Sequence, residues 1–388
     1  MKLYGYRREN GQVGIRNHIL VIPASVCASE VAARIANHIN GAVSIPNQHG
    51  CCQIGPDLDL TTNILIGLGK NPNVGAVLVV GLGCEGVPAK KVAEEIAKTG
   101  KRAECIVIQE NGGTLNTEAL GTRILREMAE EVGKMEKEEI DISEITLAIE
   151  CGGSDTTSGL ASNPAVGYVS DKLVDAGGTS IFSETTEFIG AEHILAKRAV
   201  SKEVGDRIIK IVSDCEKKAM TMGVDMRGGQ PTPGNIQGGL TTIEEKSLGC
   251  IYKGGTRIIQ GVLDYAEEPA GKGLYIMDTP GQDIESITGM TAGGAQIVAF
   301  TTGRGTPTGC PIAPVIKVTG NPETFKIMKD NIDINAGTII EGHETIKEVG
   351  EKVFDEMIEV INGKLTKAEA LNHKEFGMYK LISTFKKF

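Results

Sequence analysis

AQIVAFTTGRGTPTGCPIAPVIKVTGN, residues 295–321, holds two apolar runs with a polar, glycine-rich break between them. Residues 297–300 have the length and composition of a buried strand, and 313–318 repeat it with one lysine, Lys317, inside. The break reads Thr301-Thr302-Gly303-Arg304-Gly305-Thr306-Pro307 and returns through Cys310. A dry strand that opens into Gly, Thr and one Arg resembles an anion-binding turn. Glycine lets backbone N–H groups approach a ligand, and a guanidinium grips a carboxylate with two parallel hydrogen bonds. The plainer reading is a polar turn with Arg304 in water. Several other strands end in the same way, which favours the first.

The chain has 388 residues, room for two or three domains of roughly 150 residues each. Hydrophobic residues make up 40%, enough for a sizeable core. Glycine, at 50 residues, is nearly twice the ~7% average. The glycines lie between strong apolar runs, so they read as tight turns and close ligand approaches. Aromatics are 4% and Trp is absent, which argues against base-stacking surfaces. A net charge of −10 argues against a nucleic-acid binder, and an anionic substrate would need a local pocket of Arg and Lys. The first residues, MKLYGYRRENGQ, lack the apolar core of a signal peptide, and no apolar run approaches ~18 residues. The chain is therefore expected to be cytoplasmic and away from membranes. Nine cysteines in such a chain suggest free thiols or metal ligands, and none are spaced as C-x-x-C.

Taken in order, strands alternate with helices. Strands are expected at 18–23, 42–45, 74–80 and 104–108, each followed by a helical pattern. Ser25 and Asp57 read as helix caps. The lysine- and glutamate-rich stretch 133–144 reads as a helix end and linker, with a domain boundary between 137 and 138. Further strands are expected at 145–149, 179–182 and 274–277, with helices at 163–174, 191–199, 203–222, 344–361 and from Lys367 onward. The expected fold is α/β: two parallel-sheet domains, 1–137 and 138–388, with the site at the carboxyl ends of the strands.

Nearly every unusual residue falls just after a strand. His49 with Cys51 and Cys52, Cys84 with Glu85, Cys151 with Asp155, Glu184 with Glu187, Asp278, and Arg304 with Cys310 form the set. In a parallel sheet such loops converge on one edge. Cys84, Cys151, Cys310 and one of Cys51 or Cys52, with His49, offer soft ligands to iron. Glu85, Asp155 and Asp278 offer harder ones for Fe(II), Mn or Mg. Cysteine also packs as a small hydrophobe, and Cys27, Cys105 and Cys215 are read that way because they lie inside expected elements. Asp155 can equally cap a helix. Thr241-Thr242 with Glu244-Glu245 resembles a capping box, and Lys246 beside it is an anchor, a base or a solvated lysine. Gly81-Leu82-Gly83-Cys84-Glu85-Gly86 fits G-x-G-x-x-G, but its Cys-Glu would crowd a pyrophosphate with negative charge.

Together these stretches resemble a known family. NQHGC at 47–51, GLGCEG at 81–86, ECGGSD at 150–155, SETTE at 183–187, GLTTIEEKSLGC at 239–250, MDTPG at 277–281 and FTTGRGTPTG at 300–309 are similar to the altronate and galactarate dehydratases. The beta subunit of (2R)-sulfolactate sulfo-lyase resembles the same family, and the resemblance runs through the whole chain. It implies a lyase that removes water from a sugar acid such as D-altronate or galactarate to give a 2-keto-3-deoxy acid. The alternatives it leaves are release of sulfite from sulfolactate, or a non-catalytic scaffold subunit of a split enzyme. It implies Fe2+, with Mn2+ or an iron–sulfur centre as alternatives. Family members of full length begin with a small SAF-like domain, so a separate small subunit carrying that domain is expected as partner, and a homo-oligomer as the assembly.

Proton loss beside the carboxylate builds an enediolate that needs electrostatic stabilisation. On this reading Arg304, with Lys317 or Lys246, Thr302 and Ser154, holds the substrate. His49 or Glu85 is the base, and Asp155 assists the leaving group. Cys52, Cys84, Cys151 and Cys310 are the expected metal ligands.

Overall fold

The computed structural model describes residues 2–381. Fourteen strands are present among them: β1 Leu3–Arg7, β2 Val13–Gly14, β3 His18–Pro23, β4 Ala42–Ser44, β5 Val74–Gly81, β6 Arg102–Val107, β7 Glu138–Ile140, β8 Thr146–Gly152, β9 Thr179–Phe182, β10 Ile259–Leu263, β11 Gly273–Met277, β12 Ile297–Thr302, β13 Val315–Thr319 and β14 Ile334–Asn335. They form a four-stranded parallel sheet of order β4-β3-β5-β6, a seven-stranded parallel sheet of order β10-β11-β9-β8-β12-β13-β14, and a small antiparallel sheet β2-β1-β7. The fold is thus a two-domain α/β architecture with parallel sheets.

Strand β5, VGAVLVVG, is buried at every position, because helices cover both faces of its sheet. Its alternate residues go to opposite cores. Ala76, Leu78 and Val80 pack with Val31, Ile35 and Leu125 of the helices Ser29–Asn37 and Thr114–Gly133. Val77 and Val79 pack with Ile64, Leu65 and Ile96 of the helices Pro56–Lys70 and Ala89–Ala97. This second core continues into Ala148, Val298, Phe300 and Met277 of the larger sheet, so the two sheets share one apolar interior. The outer face of the larger sheet has its own core, in which Leu147, Ile149 and Ile276 meet Val166, Leu173 and Ile358.

The halves are also keyed together by polar groups. Asn71 Nδ2 donates to the carbonyls of Thr291 and Ala295, both at 2.8 Å, and Asn73 Nδ2 to those of Gln296 and Ile312 at 2.7 and 2.9 Å. Helix Pro56–Lys70 lies against helix Asp283–Ala292 so closely that a Cβ on Gly67 would sit 2.4 Å from the Ala292 carbonyl oxygen. Gly67→Ala is therefore expected to cost about 1–3 kcal/mol despite its gain in helix propensity, read as a lower denaturant midpoint.

Several sequence expectations shift. Strand β8 runs to Gly152, not 149, which takes Glu150 and Cys151 into the sheet. Strands β10 and β14 carry little apolar pattern: one has an interior glycine and lies at the sheet edge, and the other is two residues long. Asp57 does not cap its helix; Gly55 holds that position, Pro56 starts the helix, and Asp57 Oδ1 accepts the Leu381 N–H at 2.6 Å. Ser25 precedes a short 3-10 turn without a side-chain capping bond. The last helix spans only Lys367–Ala370, and its expected continuation past 381 lies outside the described residues.

Candidate active site

In the seven-stranded sheet the chain runs outward from β8 in one direction and from β12 in the other. The crevice between two such strands, at their carboxyl ends, is where open parallel sheets bind ligands. Here Glu150 pairs with Phe300, Cys151 with Thr301 and Gly152 with Thr302. Beyond them Gly153 turns at φ 60°, its carbonyl accepts the Arg304 N–H at 2.9 Å, and the chain enters a π-helical turn at Ser158–Ser162. Such turns recur at functional sites because they re-aim side chains within a helix. A cavity of about 300 Å³ opens there, lined by Ser154, Asp155, Asn163, Lys246, Gly249 and Tyr252 among others. That volume suits a small-molecule ligand.

Lys246 is 9% exposed and reaches the cavity from the helix Ile243–Cys250. That helix starts at Thr242, whose hydroxyl accepts the Glu245 N–H at 3.2 Å. The Lys246 ammonium bonds Glu187 at 2.7 Å and Gln230 at 2.8 Å. Burial opposes its charge, but Glu187 outweighs this and holds the ammonium above its ordinary range, so Lys246 is a fixed cation. Below it, Cys151 Sγ lies 3.1 Å from Ser154 Oγ, and Asn163 Nδ2 donates to the same sulfur at 3.6 Å. A hydrogen bond from Cys250 overcomes burial and, with the charge of Lys253, keeps the Cys151 thiol well below the usual range. Cys151 does not line the cavity; its sulfur sits behind Ser154 and Asn163, which do.

Next to Cys151 sits a buried charged cluster. Glu150, Glu184 and Asp283 bring carboxylate oxygens within 4.8 Å of one another. The ammonium of Lys253, fully buried, bonds Glu184, whose Oε2 also accepts the Cys151 N–H at 3.0 Å. Glu184 adopts φ 78°, a left-handed conformation uncommon outside glycine, and the Thr279 hydroxyl holds its N–H at 2.9 Å. Ser286 and Ser183 donate to Glu150 Oε2 at 2.7 and 3.3 Å, while Glu150 Oε1 is buried with no partner. A Cβ on Gly152 would sit 2.2 Å from Asp283 Oδ2, so glycine is required for Asp283 to approach. Three hard oxygen donors, one of them with an orphaned atom, fit a divalent cation of the Fe(II), Mn or Mg class. The thiols expected as ligands do not fit one centre. Cys52 and Cys84 are exposed beside the smaller sheet, whereas Cys151 and Cys310 are buried in the larger domain.

Burial pushes the Glu150 carboxyl up to about 8, against the pull of Lys253. The stability consequence has a definite sign. Below its ordinary value of 4.5 the group is protonated in both folded and unfolded chains. As pH rises the unfolded chain loses that proton while the folded chain keeps it, so metal-free protein loses stability up to about pH 8. Glu150→Gln is expected to remove a slope of up to about 1.4 kcal/mol per pH unit, measured by urea unfolding between pH 5 and pH 8, roughly the span of the shift.

Ser154, Asp155 and Lys246 line the cavity, and Thr302 and Arg304 lie against Gly153, next to Ser154 in the chain. Asp155 Oδ1 accepts the N–H groups of Thr157 and Ser158 at 2.9 and 3.1 Å, and Oδ2 accepts Asn321 Nδ2 at 2.9 Å. Thr302 Oγ1 accepts the Gly305 N–H at 2.9 Å, shaping the turn. Arg304 is exposed, with Nη1 on the Gly234 carbonyl at 3.3 Å. Lys317 is fully buried and donates to the carbonyls of Thr308 and Pro307 at 2.7 and 3.2 Å, so it braces the loop after β12. Cys310 packs in the shared core. His49, Cys52, Cys84 and Glu85 gather at the carboxyl edge of the smaller sheet. A separate cavity of about 500 Å³ lies between the helix Pro56–Lys70, which gives it Pro56 and Asp59, and the larger domain, which gives it Thr185, Asp278 and Pro280; His49, Cys52, Cys84 and Glu85 do not line it. Sequence reasoning passed over Lys253, Asp283 and Asn163. A lone lysine between Tyr252 and Gly254 carries no periodic signal, and Asp283 reads as an ordinary first-turn acid.

With this arrangement the chain is a lyase of the D-galactarate/altronate dehydratase family, to which it belongs. The family's C-terminal domain, described as D-galactarate/Altronate dehydratase, C-terminal, matches residues 142–384, and the second domain of D-galactarate dehydratase/Altronate hydrolase matches 5–133. The chain is 41% identical to (2R)-sulfolactate sulfo-lyase subunit beta of Chromohalobacter salexigens, across 98% of this chain and 97% of that protein. It is 34% identical to altronate dehydratase of Bacillus subtilis, covering 77% of it, and 34% identical to galactarate dehydratase (L-threo-forming) of Escherichia coli, covering 72%. No helix among the described residues is long and apolar enough to cross a membrane.

Proposed function

We propose that the chain is the large subunit of a lyase that cleaves a short 2-hydroxy acid, of the sulfolactate kind, by removing the proton beside its carboxylate. The observation that carries this reading is the fixed cation Lys246 facing Ser154 and Asn163 across a cavity at the switch point. The near-complete overlap with the sulfo-lyase subunit supports the substrate class and a separate small partner subunit. Loss of water from a sugar acid such as altronate is the second reading, favoured by the likeness to the two dehydratases.

The residues divide the work as follows. Lys246 holds the substrate carboxylate and stabilises the negative charge that develops on it as the α-proton leaves. Arg304, exposed beside Gly153, meets the second anionic group at the mouth. Asp155, fixed by two backbone N–H groups and Asn321, is positioned to exchange a proton at the carbon or at the leaving group. Ser154 Oγ, 3.1 Å from the Cys151 sulfur and lining the cavity, donates a hydrogen bond to the substrate's anionic group beside Lys246. A divalent cation held by Glu150, Glu184 and Asp283 would supply further positive charge behind the enediolate.

Purified chain, with and without a small partner subunit, should be assayed side by side on sulfolactate, altronate and galactarate. Sulfite and pyruvate from sulfolactate alone is the expected result; a 2-keto-3-deoxy acid from altronate selects the second reading. The cation is tested separately: Mn2+ should raise the melting temperature of the wild type and leave Asp283→Asn unmoved.

A further inference from the structure

The loops that follow β3, β4 and β5 carry Cys27, Cys51, Cys52 and Cys84, and all four are exposed. The order β4-β3-β5-β6 puts a second topological switch point between β3 and β5. Cys27 and Cys84 follow the two strands that flank it, the same relation that Ser154 and Arg304 have to β8 and β12. The loop after β4 folds over both. The Val26 N–H donates to the His49 carbonyl at 2.6 Å. A Cβ on Gly50 would lie 3.5 Å from the Ser25 Cβ, and one on Gly86 would lie 3.9 Å from the Gly50 oxygen. Gly50, next to Cys51, therefore touches the loop of Cys27 and the loop of Cys84.

The Cys84 loop is held in shape from inside. One oxygen of Glu85 accepts the N–H groups of Leu82, Gly83 and Cys84 at 3.0, 2.6 and 3.1 Å. Its charge is spent within the loop, and the Cys84 sulfur is left at the rim, where Gln109 Nε2 approaches at 3.8 Å. Cys27 lies in the 3-10 turn Val26–Ala28 that leads into the helix Ser29–Asn37. Loop contacts through Val26–His49, Ser25–Gly50 and Gly50–Gly86 bring the three cysteine-bearing loops together.

We propose that Cys27, Cys51 and Cys84 ligate an iron–sulfur cluster at the switch point of the four-stranded sheet. A single tetrahedral ion is the poorer fit. It would need thiolates roughly 4 Å apart, whereas among the described residues no three thiols come within 4.8 Å of one another. A cubane cluster spreads its thiolates over the corners of a wider cage and suits three separate loops. Each thiol gives up its proton to solvent as its sulfur binds iron. Three protein thiolates leave one iron without a protein ligand. The inference goes beyond the lyase reading and does not use it.

The test is anaerobic reconstitution of the full chain with sulfide and equal ferrous and ferric iron, which together carry the oxidation level of the resting cubane without a further oxidant. Iron, acid-labile sulfide and the broad visible absorbance of the cluster are measured, and no turnover is needed. The expected result is about four iron and about four sulfide per chain. Cys27→Ser, Cys51→Ser and Cys84→Ser should each lose at least about tenfold of both while keeping the wild-type circular dichroism. Cys52→Ser, Cys105→Ser and Cys215→Ser should keep them. Iron bound without sulfide, or full cluster content in any of the first three variants, overturns the proposal.

Discussion

Replacing Lys253 by methionine is expected to destabilise the protein by about 3–5 kcal/mol, the largest effect foreseen for any single substitution here. Lys253 is fully buried and its ammonium bonds Glu184, itself 1% exposed. Burial opposes the lysine's charge, and the neighbouring Cys250, Glu184 and Cys151 outweigh it, so the ammonium stays protonated. Taking it away leaves carboxylates packed together with no cation. Glu184 must then take up a proton or remain as an unpaired buried charge, and both cost free energy. Because the remedy is a bound proton, the loss should grow as pH rises above the ordinary carboxylate range. The double variant Lys253→Met/Glu184→Gln should recover much of the stability, since neither partner is then left alone with a charge. Urea unfolding of the wild type, both single variants and the double variant measures the coupling. Additive losses would mean that the two side chains do not act on each other.

The second large effect concerns turnover. Lys246→Met is expected to lower kcat/KM by roughly 100- to 1,000-fold, the usual result of removing one preorganised positive donor from a developing anion. The substitution also strands Glu187, which is 5% exposed and has one oxygen already without a partner, so some stability is lost with the activity. The double variant Lys246→Met/Glu187→Gln separates the two. It should regain the melting temperature and keep the kinetic defect. If the double variant recovers turnover as well, Lys246 serves the fold and not the substrate.

The sequence shows the parallel α/β design because its strands are dry. VGAVLVV and the run before Thr301 are apolar on both faces, which only a doubly covered sheet explains. It shows the placing of chemistry at the strand ends for the same reason, since residues such as Ser154, Asp155 and Arg304 interrupt otherwise apolar runs. What it hides is how loops pair across sheets. Cys84 and Cys151 look alike on the page, each following a strong strand, yet one is exposed on the smaller sheet and the other is buried in the larger. Lys317 looks like a ligand for an anion and instead reaches the carbonyls of Thr308 and Pro307, because β13 points it beneath the loop and not across it. The carboxylate cluster joins residues as far apart as Glu150 and Asp283, a contact set by strand order alone and invisible in local pattern. Cys27 reads as a core residue inside an expected helix and is in fact exposed, since the first turn is 3-10 and ends before the helix begins.

The cavity between the ends of β8 and β12 is the centre of this account, and a crystal structure of the chain with sulfolactate tests it most directly. The expected result is a ligand with one anionic group within hydrogen-bonding distance of Lys246 Nζ and Ser154 Oγ, and the other toward Arg304. A ligand ordered elsewhere, such as against Cys84 and His49 on the smaller sheet, with solvent between Lys246 and Ser154, would contradict it.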